Sequence, residues 1–428
     1  MTNVDETSVP TSTGPLAVHR EHSTLVLEHL VAHGTATRSE LASATGLGRG
    51  AIAGLTARLI EAGIVRPADH DPTGDGRATP LSLSAGDHVV VATVLRPDQA
   101  IATVAGLSGE ELARFDVAIA SPDVDVDADA DDSRPAPGPP ASALTLDALG
   151  TALARALAWA DRAQRPFADV TVLVDGAVAG VPPVVVTDAR LGAGPVDVLG
   201  ELRARVPALA KVEPALLLPL TLQTAAAAAA VAERAALPGV DDVLYLSGDT
   251  GVAAAVIAGG LPLRGAHGLA ATFGHLPIVQ DGVRCECGQR GCLATVAAPD
   301  VVLERAGLDA YAATHGHTAA LEELVARVAA AEDRARWSWL DAAHWIGRTL
   351  QLVAPAVDPA VVVVGGYWGH LIADIDTAYR SNRPTIGGGV LESIPVIAAA
   401  RAGTDAPLVG ARRQARDRLL AQPLLLAG

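Results

Sequence analysis

All three cysteines of this 428-residue chain lie within eight positions, at Cys285, Cys287 and Cys292, and His275 precedes the first of them by ten residues. Thiolates and an imidazole nitrogen are good zinc ligands, and a structural zinc site uses four of them in a tetrahedron. Glycines among the cysteines allow the sharp turns that bring Cys292 back to the metal. Because four protein ligands leave no open position for water, the spacing predicts a structural zinc ion rather than a catalytic one.

Two other interpretations of these cysteines stay open at this point. The thiols could be unrelated buried side chains, or Cys285 and Cys287 could form a strained disulfide. An odd number of clustered cysteines does not make a disulfide framework. The polar, acidic N-terminus also lacks the positive start and apolar run of a signal peptide. We therefore expect a cytoplasmic protein.

The composition narrows the class of protein further. The net charge of -16 argues against non-specific attachment to nucleic acid or to an anionic membrane, although it does not exclude a local DNA-binding module. Half of the residues are hydrophobic and only 3% are aromatic, so the core must consist of Val, Leu, Ile and Ala. The longest uncharged run, 214–232, is Ala-rich and contains Pro219. It is typical of a short strand followed by a helix rather than of a membrane span.

The pattern near the N-terminus predicts a winged helix-turn-helix over residues 16–84, after a disordered segment at 1–15. Apolar residues recur at helical spacing from about His19 to Ala62. Thr37 and Glu40 have the spacing of a capping box, which marks the start of a second helix. Two short apolar strands then flank a loop rich in Gly, Asp and Pro. Three helices followed by a hairpin are the plan of a winged helix.

Residues 87–428 alternate between strands and helices, which predicts an α/β fold of two lobes with mixed sheets. Residues 121–140 within the first lobe are acidic and Pro-rich, as is typical of a solvated loop. The last helix is predicted at roughly Ala406 to Ala421.

The segment 263–298 resembles the ROK family (repressor, open reading frame, kinase), which carries the pattern G-H-x-x-[VI] followed by C-x-C-G-x-x-G-C-L-E. The matching residues are Gly274, His275, Ile278, Cys285, Cys287, Gly288, Gly291, Cys292 and Leu293. The resemblance covers nearly the whole chain, and the N-terminal part is similar to the winged helix of the regulator branch. It implies a winged helix ahead of a two-lobed, actin-like ATPase domain.

The family's sugar kinases need a phosphate loop of the form D-x-G-G-T and a carboxylate base that takes the proton from the sugar hydroxyl. In this chain Thr93 stands about where the Asp of the loop would be, and no Gly-Gly follows. Ala225 falls at the position of the base. An alanine cannot accept a proton, so we expect no kinase activity. The segment "SGDTG" at 247–251 is predicted to be a turn that connects two strands.

The family's sugar-binding positions are also changed. The resemblance places Thr224, Ala225, Thr272 and Ala294 where the family has polar or acidic side chains, and only His275 is kept. Each unsatisfied buried partner costs roughly 1–3 kcal/mol of binding free energy. Thr224, Thr272 and His275 are the polar residues that remain at these positions, and a sugar-related effector is expected to contact them. An ordinary free hexose is not expected, and the cleft is predicted to hold a less polar ligand or none.

The third helix of a winged helix enters the major groove. Its buried side is predicted at Ile52, Leu55 and Leu59. The outward side is predicted at Arg49, Gly50, Ala53, Gly54 and Ala57.

The residues predicted to contact DNA are Thr37, Arg38, Arg49 and Arg77. Arg49 is placed for a guanine edge or a phosphate. Arg38, beside the cap residue Thr37, is placed for a phosphate. The resemblance puts Arg77 in the wing turn, where its flat guanidinium would suit a narrow minor groove.

The preferred hypothesis is a transcriptional regulator, expected to be a repressor, that binds a palindromic operator as a homodimer or homotetramer. One alternative is a carbohydrate kinase with an extra N-terminal domain. The other is a degenerate family member that binds a protein partner and has lost tight operator binding, which the bare outward face of the third helix favours.

Overall fold

The computed structural model describes residues 15–68, 79–120, 140–188, 190–192, 194–212, 219–249, 251–381 and 395–422. The N-terminal helices are α1 (Pro15–His33), α2 (Arg38–Thr45) and α3 (Arg49–Glu61). Strands β1 (Thr35–Ala36), β2 (Val65–Pro67) and β3 (Leu81–Leu83) form an antiparallel sheet in the order β1-β3-β2.

Local sequence explains where these helices begin and end. Thr37 and Glu40 form the predicted capping box, and Gly46 ends α2 in the left-handed region that favours glycine. Leu27, Leu41 and Ile52, one from each helix, meet in one buried cluster. These elements have the arrangement of a winged helix. The predicted disordered segment lies outside the described residues except for Pro15, and so does the loop 69–78 that contains Arg77.

The first lobe follows without a break. Its strands are β4 (Val89–Leu95), β5 (Gln99–Gly106), β6 (Glu111–Ala118), β7 (Phe167–Val174), β8 (Ala177–Ala179), β9 (Val184–Thr187) and β10 (Leu220–Thr224). Its helices are α4 (Ala141–Arg162), α5 (Val198–Arg205) and α6 (Ala225–Ala235). The main sheet has the order β10-β7-β4-β5-β6 and is mixed, as predicted. The acidic segment 121–140 lies outside the described residues except for Pro140, the residue before α4.

The second lobe is built around another mixed sheet. Its strands are β11 (Val243–Gly248), β12 (Val252–Ala258), β13 (Leu261–Pro262), β14 (Val361–Gly366) and β15 (Val396–Ala399), in the order β13-β12-β11-β14-β15. Its helices are α7 (Ala294–Ala297), α8 (Pro299–Ala306), α9 (Asp309–His315), α10 (His317–Ala329), α11 (Asp333–Val357) and α12 (Ile372–Arg380). The last helix, α13 (Ala406–Ala421), returns to the first lobe.

Alternation along the strands of the first lobe buries both faces of its sheet. Val89 and Val91 point into a cluster with α4 and α5, whereas Val90 and Ala92 point to the opposite side, where α6 and α13 lie. The second sheet packs α6 against one face and α7, α8 and α10–α12 against the other. Helix α6 therefore touches both sheets.

The alanine run of α6 fits this crowded position because small side chains let backbones approach closely. A Cβ atom added at Gly410 of α13 would lie 1.7 Å from the carbonyl oxygen of Ala228. Glu233, 1% exposed, accepts hydrogen bonds from the backbone N–H groups of Arg401 and Ala402. The fit between α6 and α13 thus depends on residues without bulk.

Helix α13 also connects the lobes to the winged helix. Leu420, 1% exposed, belongs to the winged-helix core, and its carbonyl oxygen accepts a hydrogen bond from the Thr24 hydroxyl at 3.4 Å. Two residues before Leu420, Arg418 forms an ion pair of 2.8 Å with Asp169 of β7, whose side chain is 0% exposed. Burial raises the pKa of the Asp169 carboxyl, and the Arg418 charge opposes that shift. No helix within the described residues is long and apolar enough to cross a bilayer.

Replacing Arg418 by Ala should lower the free energy of unfolding by about 3 kcal/mol, because the Asp169 carboxylate would be left buried without its partner. Arg416→Ala is the matched control in the same helix. Its partner Asp417 is half-exposed, so we expect a loss below about 1 kcal/mol. Urea unfolding followed by circular dichroism measures both. Equal losses would contradict the importance of the buried pair.

Candidate metal centre and interlobe cleft

The loop between β13 and α7 brings the four predicted ligands together. His275 ends a short 3-10 turn, and the three cysteines lie on the tight loop that follows. The backbone N–H of Cys285 donates to the carbonyl oxygen of Gln289 at 2.8 Å, which folds the loop back on itself. Gly291 has a φ of +71°, and a Cβ there would lie 1.8 Å from the Val279 carbonyl oxygen. Only glycine fits this turn.

The four ligand atoms lie within 4.8 Å of one another. The sulfurs of Cys287 and Cys292 are 3.6 Å apart, and His275 Nδ1 is 3.5 Å from the sulfur of Cys285. With zinc–sulfur bonds of about 2.3 Å, a tetrahedron separates two sulfurs by roughly 3.8 Å. The donor set and its spacing therefore suit a zinc ion. All three cysteines are free, so the alternative of a Cys285–Cys287 disulfide does not hold.

Burial sets the protonation of these ligands. It lowers the pKa of His275, which favours the neutral imidazole that binds metals. Burial also raises the pKa of the Cys292 thiol to about 12, because an apolar surrounding disfavours a thiolate. A bound cation would supply the positive charge that stabilises this thiolate.

The second nitrogen of His275 faces the first lobe. Its Nε2 atom lies 3.4 Å from the hydroxyl of Thr187 on β9, so the ligand cluster lies at the edge of the cleft between the lobes. The other two residues predicted to contact an effector have local partners. The Thr224 hydroxyl caps α6 by accepting the N–H of Ala227 at 3.2 Å, and the Thr272 hydroxyl donates to the Leu269 carbonyl at 3.1 Å.

The turn between β4 and β5 contacts the second lobe through a residue that our sequence analysis did not identify. Asp98 accepts hydrogen bonds from the backbone N–H groups of His317 and Thr318 and from the Thr318 hydroxyl, at 3.4, 3.3 and 3.0 Å. A carboxylate at a helix N-terminus is stabilised by the free N–H groups and by the helix dipole. Asp98 therefore binds α10 across the cleft.

The turn between β11 and β12 is also occupied by the protein's own groups. This is the segment predicted as a turn, and Asp249 at its start accepts the backbone N–H of Tyr367, beyond β14. Burial, and then the nearby Asp175, raises the pKa of the Asp249 carboxyl. The Trp368 ring lies so close to Gly248 that a Cβ there would be 2.2 Å from it.

Arg190 forms a further network that the sequence pattern did not predict. Its guanidinium lies 3.2 Å from Asp175 and 3.4 Å from Asp188. Asp188 also accepts the backbone N–H groups of Gly176 and Arg190. The network fixes the start and end of the β8–β9 hairpin beside the cleft. Its residues are scattered single charges with no motif, so no signal in the sequence could have found it.

The sequence profile of the ROK family matches residues 138–418, more than half of the chain. The chain belongs to the ROK family.

Sugar kinases of other bacteria are similar to parts of this chain. The glucokinase of Streptomyces coelicolor is 31% identical over 224 residues, which are 48% of this chain and 70% of the glucokinase. An N-acetylmannosamine kinase of Escherichia coli is 32% identical over 147 residues, or 34% of this chain and 48% of the kinase.

Solved structures share the fold. The crystal structure of a ROK family transcriptional regulator, a homolog of the Escherichia coli Mlc protein, superimposes with a TM-score of 0.69 and 18% identity, over 96% of this chain and 100% of the other. A ROK glucokinase from Streptomyces griseus, in complex with glucose and AMPPNP, has a TM-score of 0.57 and 24% identity, over 77% of this chain and 99% of the other.

In this ROK protein, the two residues at the expected kinase positions, Thr93 and Ala225, are both buried. Thr93 is 0% exposed on β4, and its hydroxyl donates to the Ile101 carbonyl oxygen at 2.9 Å. Ala225 is the first residue of α6 and is buried. Ala225 has no side-chain group that could accept a proton, and the Thr93 hydroxyl is used within the sheet.

The winged helix of this ROK protein places the predicted DNA-contacting residues as follows. Arg49 is exposed at the first position of α3. The Arg38 side chain bonds the buried hydroxyl of Thr56 through Nε at 3.0 Å, so it ties α2 to α3. The Thr37 hydroxyl takes part in the capping box. Arg77 lies outside the described residues and stays a prediction.

We expect the purified ROK protein to hold about one zinc ion per chain, and Cys287→Ala to lose it, because three ligands hold zinc far more weakly than four. Glu286→Gln is the matched control, since Glu286 is exposed between two ligands and outside the cluster. Elemental analysis after dialysis against a mild chelator measures the metal. Full zinc retention by the Cys287 variant would contradict the assignment.

Proposed function

We propose that this ROK protein is a DNA-binding transcriptional regulator, with a winged helix over residues 16–84 and a non-catalytic ROK domain over residues 87–428. The observation that carries the proposal is the winged helix packed against the lobes. The likeness to the solved ROK regulator extends over 96% of the chain, and the likeness to the solved glucokinase extends over 77%. A fold that adds a DNA-binding module to a kinase-like domain supports a regulator, expected to be a repressor.

The surface of α3 supports this proposal. Ile52, Leu55 and Leu59 are buried, and the face with Arg49 is exposed along the helix. Gly48, the residue before α3, offers no side-chain cap, so the first N–H groups of α3 are available to a DNA phosphate beside Arg49. Small residues on the remaining exposed face would let the helix approach the groove closely.

A bound zinc ion would brace the loop at the edge of the cleft, with all four positions filled by His275, Cys285, Cys287 and Cys292. The metal would be structural, because no position is left for water or substrate. Through His275, whose second nitrogen faces Thr187, the braced loop would help define the effector site.

Helix α13 supports a route from the cleft to DNA. It packs tightly on α6, which is capped by Thr224 and begins at Ala225, and its last turn lies in the winged-helix core through Leu420. A ligand that moves α6 would therefore move the winged helix, provided that it binds one lobe arrangement more tightly than another. The effector would be sugar-related, and such a regulator would act in the cytoplasm.

Replacing Arg49 by Ala should weaken binding to a selected operator by about 10-fold or more, because one base or phosphate contact contributes roughly 1–3 kcal/mol. The operator is first obtained by selecting genomic fragments on the zinc-loaded protein at moderate salt and sequencing them. Arg162→Ala, an exposed arginine on α4, is the control and should leave the affinity unchanged.

Recovery of a palindrome with loss of affinity in the Arg49 variant would support the regulator. If the folded, zinc-loaded protein enriches no DNA, the result favours the alternative that this ROK protein binds a protein partner and not an operator.

The kinase function is the second candidate, and the two characterised relatives described above, both sugar kinases, favour it. We expect no ATP-dependent phosphorylation of glucose, N-acetylmannosamine or other hexoses, because Ala225 supplies no base and Asp98 and Asp249 are bound to the protein itself. ADP release is measured against a heat-inactivated control. ADP release above that control would support the kinase function and contradict the proposed function.

A further inference from the structure

The last two turns of α1 carry a pair of histidines that the proposed function does not use. His29 and His33 are four residues apart, so their side chains lie one above the other on the same side of the helix. His29 is half-buried and His33 is exposed. Their neighbour Leu30 belongs to the winged-helix core, so the pair lies at the surface of that module. Two histidines at this spacing on a helix can hold one metal ion between them.

The two imidazole rings already lie against each other. The ring centroids of His29 and His33 are 4.1 Å apart, and the angle between the ring planes is 22°. An imidazole nitrogen binds zinc at about 2.1 Å, so a tetrahedral ion separates two such nitrogens by roughly 3.4 Å. Rings stacked at the observed spacing therefore need little movement to share one ion.

A bond to the backbone orients one of these rings. Nδ1 of His33 lies 2.9 Å from the carbonyl oxygen of His29. Because a carbonyl oxygen only accepts, Nδ1 carries the proton of the neutral ring, and the lone pair is on Nε2. Histidines that bind metals usually donate their other ring N–H to a carbonyl or a carboxylate in this way, which fixes the tautomer and the ring direction.

The nitrogens that would bind the ion are available. Neither Nε2 of His33 nor either ring nitrogen of His29 forms a hydrogen bond with any residue that the structure describes. In the zinc-ligand cluster the second nitrogen of His275 instead faces Thr187. The lone pairs of the α1 pair are thus free for a ligand from solution.

A negative charge beside the pair favours a cation. The carboxylate of Glu40, at the start of α2, accepts the backbone N–H and the hydroxyl of Thr37 at 2.7 and 2.9 Å. These bonds to Thr37, and then the nearby His29, lower the pKa of Glu40. The carboxylate is therefore ionised at neutral pH and adds to the attraction of a positive ion.

We propose that His29 and His33 form a further metal site, which takes a divalent transition-metal ion of the class that imidazole prefers, namely Cu²⁺, Ni²⁺ or Zn²⁺. Two protein ligands leave the remaining positions to water, so the ion exchanges readily, unlike one held by the four ligands around His275. The bound ion links successive turns at the end of α1 and so stabilises the winged helix. The site goes beyond the proposed function and does not depend on DNA binding.

The second lobe provides a matched control for the pair. Tyr311 and His315 of α9 have the same spacing, with ring centroids 4.1 Å apart and ring planes at 18°. Nδ1 of His315 also lies 3.2 Å from the carbonyl oxygen of Tyr311. This arrangement differs from the α1 pair chiefly in offering one imidazole instead of two, so it lacks the second ligand.

Calorimetric titration of Ni²⁺ into the untagged, zinc-loaded full chain tests the site. We expect one Ni²⁺ per chain to bind in addition to the zinc. His29→Gln and His33→Gln should each raise its dissociation constant at least about 10-fold, because the second ligand of a pair binds within the same molecule and gains from the high effective concentration. His315→Gln should leave the constant unchanged.

Two further measurements separate the site from indirect effects. Circular dichroism shows whether each variant is folded, and elemental analysis shows whether zinc stays bound during the titration. Ni²⁺ should also raise the unfolding midpoint of the wild-type chain more than that of the His29 and His33 variants, since an ion that binds only the folded state stabilises it.

The absence of Ni²⁺ binding, or Ni²⁺ binding of equal affinity in the wild-type chain and in the folded His29 and His33 variants, would overturn the site. Uptake that only replaces zinc at the cysteines would do the same. None of these results bears on operator selection, so the proposed regulator and this metal site can fail separately.

Discussion

The close packing of α6 against α13 is the constraint on which the rest of this structure depends. Helix α6 lies between the two sheets, and α13 covers it so tightly that a single methyl group at Gly410 would clash with the Ala228 backbone. The alanine run of α6 is what makes that approach possible. Because α13 also ends in the winged-helix core, the same contact joins the two lobes and the N-terminal module.

One set of hydrogen bonds joins the two lobes directly, and another holds a turn within the second lobe. Asp98 from the first lobe binds the start of α10, and Asp249 binds the backbone beyond β14. The Trp368 ring packs against Gly248 at the turn between β11 and β12, and Ala225 at the start of α6 has no side-chain group that could accept a proton. The polar residues that remain at the edge of the cleft, Thr187 and His275, belong to the region of the metal cluster.

The metal cluster and the family were predictable from sequence because their signal is local. Four candidate ligands and two glycines within eighteen positions must all be in register, and a loop of this size needs no distant contact to be recognised. The capping box at Thr37 and the limits of α13 were predicted for the same reason, since caps and helical periodicity are short-range. The short strand expected within the Ala-rich run is Leu220–Thr224 in the structure, where it pairs with β7, and residues 213–218 lie outside the described residues.

The sequence by itself thus determined the winged-helix plan, the α/β lobes and the ligand cluster, because each of these depends on residue type at fixed short spacing. Only the tertiary structure decided that Asp98 caps α10, that Arg38 binds Thr56 within the winged helix and that Arg190 joins Asp175 to Asp188. Asp98 and α10 are more than two hundred positions apart. Such pairs form when strand order and helix packing bring distant segments together, and that arrangement is fixed by the summed burial of the whole core rather than by any local pattern.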